Sequence, residues 1–92
     1  MKVKLFGGLR GKVNASEVEG TGRTISEVLE GLSQNNAALG EAILEQDGRL
    51  RPHVRVMVNG LDSELKQGLA TPVGEADEIA IFPPIAGGEA MP

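Results

Sequence analysis

Pro83 and Pro84 constrain this chain more than any other pair of residues. Each proline fixes φ at about −65° and removes a backbone donor, so no ordinary central strand continues past Phe82. Each also pushes the residue before it towards extended conformations. Upstream, Glu78-Ile79-Ala80-Ile81-Phe82 has the period of a strand, with Ile79 and Ile81 inward and Ala80 and Phe82 outward. Downstream, Ile85-Ala86 leads into Gly87-Gly88 and a short Glu89-Ala90-Met91-Pro92. A narrow extended tip of this kind fits a tunnel in a partner enzyme, where any Cβ would obstruct. Read alone, the same glycines also describe a frayed terminus. The expected organisation is a compact domain over residues 1–82 and a flexible C-terminal tail over residues 83–92.

The preceding residues must supply the core. Ninety-two residues make one domain, and with Phe6 and Phe82 as its only aromatics that core must be aliphatic. The absence of cysteine excludes disulfides, thiolate metal sites and a cysteine nucleophile within this chain. Thirteen acidic residues against nine basic ones give a formal charge of −4, and the basic residues are scattered. That distribution argues against nucleic acid as a partner. The start, Met1-Lys2-Val3-Lys4, lacks the apolar run of a signal peptide, and no run is long enough to span a membrane. A cytoplasmic protein with no membrane partner is expected.

Lys2-Val3-Lys4-Leu5-Phe6 alternates as a half-buried strand, with Val3 and Leu5 inward. Gly7-Gly8-Leu9-Arg10-Gly11 breaks that pattern and reads as a hairpin loop. It lacks the Lys-Ser/Thr end of a phosphate-binding loop. Val13 to Glu19 reads as a weaker second strand with irregular apolar spacing. Thr24-Ile25-Ser26-Glu27 has the form of a capping box, and Ile25, Val28, Leu29 and Leu32 follow as one helical stripe. A second helix is expected from about Ala37 to Gln46, capped by Asn36, with Leu39 and Ile43 inward and Asp47-Gly48 ending it. Gly40 should weaken that helix by about 1 kcal/mol. Val54, Val56 and Val58 form the inner face of a further strand, closed by the turn pair Asn59-Gly60. Residues 61–74 are irregular, with Leu65, Leu69 and Val73 as expected anchors. A hairpin, a helix across one sheet face and then more strands is an α+β layout. Its first and last strands should lie side by side in mid-sheet.

That order, together with the tail, resembles the ubiquitin-like β-grasp sulfur carriers of the MoaD/ThiS family. The resemblance rests on Val3-Lys4-Leu5-Phe6, the helix Thr24 to Leu29, and Val56-Met57-Val58-Asn59-Gly60. Its most specific stretch runs from Gly74 through Phe82-Pro83-Pro84 to Gly87-Gly88. The resemblance implies a mixed four- to five-stranded sheet with one main helix packed on one face. It also implies that Gly88, with Gly87 giving access, is adenylated by a ubiquitin-activating-type adenylyltransferase that uses ATP and is then thiocarboxylated. The sulfur would pass to an acceptor such as the molybdopterin synthase large subunit, a cysteine-synthase-like enzyme or the thiamine thiazole. The Phe82-Pro83-Pro84 stretch looks most like the molybdopterin branch. Leu50-Arg51-Pro52-His53 and Gly68-Leu69-Ala70-Thr71-Pro72 look closer to the cysteine branch. Some relatives instead act as protein modifiers joined to lysines. Gly88 is followed by Glu89, so its carboxyl is tied up in a peptide bond. A zinc-dependent deubiquitinase-like protease is expected to cut at the Gly88–Glu89 junction and remove residues 89–92. No cofactor, metal or catalytic side chain of its own is expected.

Strand parity places Phe6, Met57, Ala80 and Phe82 on one apolar face beside Pro83, Pro84 and Ile85, as a partner-docking surface would be. His53 reads as a surface residue, and Glu41 and Glu45 as a solvated helix face. Glu75, Asp77 and Glu78 read as a polar turn rather than a cation site. Arg49 and Arg51 could pair with acidic groups on an activating enzyme.

Overall fold

The computed structural model describes residues 1–84. Ile85, Gly87, Gly88 and Glu89, with the rest of residues 85–92, lie outside the described residues. Five strands form one mixed sheet: β1 (Lys2–Leu5), β2 (Glu17–Glu19), β3 (Arg55–Val58), β4 (Leu61–Asp62) and β5 (Glu78–Phe82). The order across the sheet is β2-β1-β5-β3-β4. β5 therefore sits centrally, parallel to β1 and antiparallel to β3. The expected pairing of first and last strands holds.

One face of the sheet is sealed by helices. The alternation in β1, β3 and β5 sends Val3, Leu5, Val56, Val58, Ile79 and Ile81 to that side, each nearly or wholly buried. Helix α2 (Ile25–Asn35) lays Ile25, Val28, Leu29 and Leu32 against them. Its N-terminus is capped as expected, with the Glu27 amide donating to Thr24 Oγ1 at 3.2 Å. The Glu27 carboxylate reaches one residue further back than a standard capping box, accepting from the Arg23 amide at 2.8 Å. Thr24 is instead drawn into a bridge with Pro72, and the Ile25 amide donates to the Thr71 carbonyl. The 61–74 segment is thereby tied to the start of α2.

Helix α3 (Ala37–Ile43) is capped by Asn36 and buries Leu39 and Ile43. It stops three residues short of the expected end. The Glu45 amide bonds the Arg49 carbonyl, so Asp47-Gly48 makes a tight turn of its own, with Gly48 at φ 89°. Gly40 reverses its expected meaning. An added Cβ there would lie 2.9 Å from Ser33 Cα on α2, a contact real Cβ atoms do not make. The bare α-carbon lets α2 and α3 touch, and that outweighs its low helix propensity.

Two further expectations are corrected. Gly7 to Gly11 is no hairpin loop: helix α1 (Leu9–Val13) runs through it, burying Leu9 and ending on Asn14 at φ 57°. Val13 belongs to that helix, so the second strand shrinks to Glu17–Glu19 and its irregular apolar spacing is explained. Leu9 and Val13 share the i, i+4 spacing of a helix stripe, but the flanking glycines mask it. Leu65 is no anchor, being 75% exposed at the end of a 3-10 turn over Ser63–Leu65. Thr71, fully buried, does the anchoring: its hydroxyl donates to the Gly68 carbonyl and accepts from the Gln67 amide. Leu69 and Val73 pack against the core as expected.

Candidate functional site

Among the described residues no helix covers the second face of the sheet. Its side chains lie in cross-strand rows fixed by register, one being Glu17, Lys4, Ala80, Met57 and Asp62 in order across all five strands. The row towards the start of β1 is charged, with Glu19, Lys2 and Glu78 side by side. The row at the other end is aromatic. Phe82 sits opposite Arg55 in the β5–β3 register, and on its β1 side it meets Phe6. The two rings stack with centroids 4.3 Å apart and planes 10° from parallel. Phe6, Met57, Ala80 and Phe82 are all half-buried. The expected apolar face is therefore one continuous surface, with the aromatic pair at the end where β5 leaves the sheet.

Cations border the aromatic pair. The Arg10 guanidinium stands 5.9 Å from the Phe6 ring centroid, within the range of a cation–π contact, while its Nε donates to the Leu5 carbonyl at 3.2 Å. Arg55 is held by Asp62 at 2.8 Å. Asp62 sits below the ordinary carboxylate value of 3.8: the Glu64 amide bonds it, burial pulls the other way, and Arg55 adds to the lowering. At the charged end, Lys4 pairs with Glu78 at 3.2 Å.

The root of the tail is built into this end of the face. The Phe6 amide donates to the Ile81 carbonyl, extending the β1–β5 ladder to the last residue before β1 turns away. The turn is made by Gly7 at φ 58°, and half-buried Pro83 rests on it. An added Cβ on Gly7 would come within 2.9 Å of Pro83 Cγ. Pro84 is exposed. Sequence reasoning treated Gly7 and Gly8 as one loop and Arg10 as part of it. The role of Gly7 depends on Pro83, a neighbour distant in sequence for which no local pattern exists.

The acidic turn before β5 satisfies itself. Asp77 accepts from Asn59 Nδ2 at 2.9 Å and from the Gly74 amide at 2.7 Å, and these two bonds, in that order, hold its carboxyl below the usual range. Asn59 also accepts from the Glu78 amide, so the Asn59-Gly60 turn clamps the start of β5. Among the described residues no three His, Cys, Asp or Glu side chains gather as a metal site requires. No described helix is long and apolar enough to cross a membrane. His53 is exposed. Arg49 and Arg51, considered for a partner, pair within the chain with Asp47 and Glu45.

Residues 3–88 match the ThiS family. The chain belongs to that family. Its match runs from the first strand through both tail glycines, so it covers the sheet face and the tail together. A 65-residue stretch is 37% identical to small archaeal modifier protein 3 of Haloferax volcanii, covering 71% of this chain and 70% of that protein. A 72-residue stretch is 36% identical to a putative sulfur carrier protein of Archaeoglobus fulgidus, covering 78% and 82%. The sulfur carrier protein CysO of Mycobacterium bovis is 32% identical over 73 residues, covering 77% and 78%.

Solved structures agree on the fold. Small archaeal modifier protein 1 of Methanosarcina acetivorans superposes with a TM-score of 0.85 at 32% identity, over 95% of this chain and 94% of that one. A chain of the BexX/CysO complex of Amycolatopsis orientalis gives 0.83 at 26% identity, over 95% and 98%. The architecture is the ubiquitin-like β-grasp, as the resemblance implied.

Proposed function

We propose that this ThiS-family protein is a sulfur carrier whose working group is the carboxylate of Gly88. The observation that carries the proposal is the extent of the family match, which continues past the described residues and ends on Gly88. Relatives named as sulfur carriers support it. A carboxylate is a poor electrophile because oxide is a poor leaving group. Hydrolysis of the Gly88–Glu89 bond by a zinc-dependent protease would first free the carboxylate. An adenylyltransferase partner then joins it to AMP from ATP, releasing pyrophosphate. Sulfide delivered to the carbonyl displaces AMP and leaves a thiocarboxylate. The carrier contributes positioning rather than a catalytic group, and the face around Phe6, Met57, Ala80 and Phe82 is the surface on which its partners would dock.

The acceptor is a molybdopterin synthase large subunit or a cysteine-synthase-like enzyme, and stable complex formation with one of them discriminates. A second reading, protein modification through lysine isopeptide bonds, is favoured by the relatives named as modifiers. The deciding experiment is intact mass spectrometry of the protein from its own host. A chain ending at Gly88 with one oxygen replaced by sulfur supports the carrier. Gly88 found in isopeptide linkage to other proteins supports the modifier. A chain ending at Pro92 under every growth condition overturns both.

A further inference from the structure

Two glycines of this protein share a backbone conformation but not a neighbourhood. Gly7 has φ +58° and Gly68 has φ +60°. Around Gly68 there is open space, whereas a Cβ on Gly7 would sit 2.9 Å from Pro83 Cγ and 3.5 Å from its Cδ. Gly8 differs again. It lies in ordinary helical conformation at φ −65° with nothing near it, so it has no need to be glycine. Backbone strain alone would explain a glycine at position 7. It does not explain why the first proline of the tail is seated on it.

From this contact we infer that Gly7 is a positioning residue that sets the direction in which the tail leaves the domain. The inference rests on the carrier reading only for its functional consequence. Pro83 has one backbone torsion locked by its ring, and Pro84 repeats the constraint while holding Pro83 extended. The orientation given to the Pro83 ring is thus passed on to the following residue. The Phe6 amide on the Ile81 carbonyl and the Phe6–Phe82 stack hold the strand end just before Pro83. Gly7, in the β1–α1 turn, is the residue whose added Cβ would meet the Pro83 ring itself. A methyl group at position 7 would lie 2.9 Å from Pro83 Cγ, so either the ring or the β1–α1 turn must shift, and on this inference it is the ring that tilts away, and the tail with it. A narrower cone of tail directions raises the fraction of encounters in which Gly88 reaches a partner's active site, which is preorganisation in the ordinary sense.

The test compares Gly7→Ala with Gly68→Ala and Gly8→Ala. The matched φ of positions 7 and 68 makes Gly68→Ala the control for backbone strain, and the two variants should lower the urea midpoint by similar amounts. Amide residual dipolar couplings at Ala86 and Gly87 in the weakly aligned full-length protein report the tail's direction. They are expected to change in Gly7→Ala and to stay as in the unsubstituted protein in Gly68→Ala and Gly8→Ala. With Pro83→Ala already in place, adding Gly7→Ala should change them no further. Couplings that are the same in Gly7→Ala as in the unsubstituted protein overturn the inference, as do equal changes in Gly7→Ala and Gly68→Ala. Adenylation of the chain ending at Gly88 provides the functional readout, with kcat/KM expected to fall about tenfold for Gly7→Ala alone. An unsubstituted chain that no adenylyltransferase activates overturns the carrier reading, and the couplings still decide the role of Gly7.

Discussion

Ile81 and Phe82 are chain neighbours on opposite faces of the same central strand, and their environments have little in common. Ile81 is completely buried in the core cluster on the helix-covered side. Phe82 is half-buried and stacked on Phe6, with no element above it among the described residues. The inner face is aliphatic and closed by helices, of which α2 and α3 are capped by Thr24 and Asn36. The outer face mixes two aromatic rings, a methionine and bordering charges. A small domain with a limited core gains its stability from the closed side. The open side then tolerates a composition that stability does not require, and such a surface is free to be used for recognition.

This contrast predicts a graded set of outcomes. Ile81→Ala should destabilise the domain by about 3–4 kcal/mol through lost burial and an unfilled cavity, measured by urea denaturation. Gly40→Ala should come next, at about 1–2 kcal/mol, because overpacking against Ser33 exceeds the propensity gain of alanine. A stabilised Gly40→Ala protein would show that the α2–α3 contact relaxes freely. Phe82→Ala, although it removes the larger side chain, should lose only about 1 kcal/mol, the worth of an exposed aromatic pair. Binding to an adenylyltransferase, followed by titration calorimetry, should suffer far more. If Phe82→Ala and Ile81→Ala were equally destabilising, the outer face would be structural and the distinction between faces would fail.

The smallest effect concerns pH. Asp62 and Asp77 both hold their protons more weakly folded than unfolded. Their stabilisation is complete at neutral pH. It begins to fall as pH drops through the ordinary value of 3.8 and is gone below their folded values. Asp77→Asn, which cannot ionise, should therefore lower stability at neutral pH, where the carboxylate contributes in full, and converge with the unsubstituted protein in acid, so that the acid limb flattens. Urea midpoints taken between pH 3 and 7 would show it. An unaltered acid limb would place the acid sensitivity elsewhere.

Much of this architecture was legible beforehand because it is written in local periods. The alternation in β1, β3 and β5 and the stripe of α2 each repeat at the spacing of one element, so parity alone assigned Val56 inward and Met57 outward. Caps and turns were equally local: Thr24 and Asn36 cap amides three residues on, and Asn59-Gly60 reverses the chain through its own positive φ angles. The apolar face followed from parity plus the side-by-side placement of first and last strands. Helix α1 was missed because three glycines within five residues, 7, 8 and 11, outweigh a two-residue apolar stripe. Leu65 was misjudged because irregular segments have no period to say which apolar residue turns in, and Thr71 took the buried place through hydrogen bonds instead.

The sequence by itself thus determined which residues of β1, β3, β5 and α2 face the core, where α2 and α3 begin and that the sheet cannot continue past Phe82. Tertiary structure alone decided what the glycines do. Gly7, Gly8, Gly40 and Gly68 are chemically identical and carry no side chain to announce a role. Gly7 accepts Pro83, Gly40 accepts Ser33, and Gly8 and Gly68 accept nothing. A missing side chain acquires meaning only from what occupies the space it leaves, and for Gly7 that occupant comes from the opposite end of the chain.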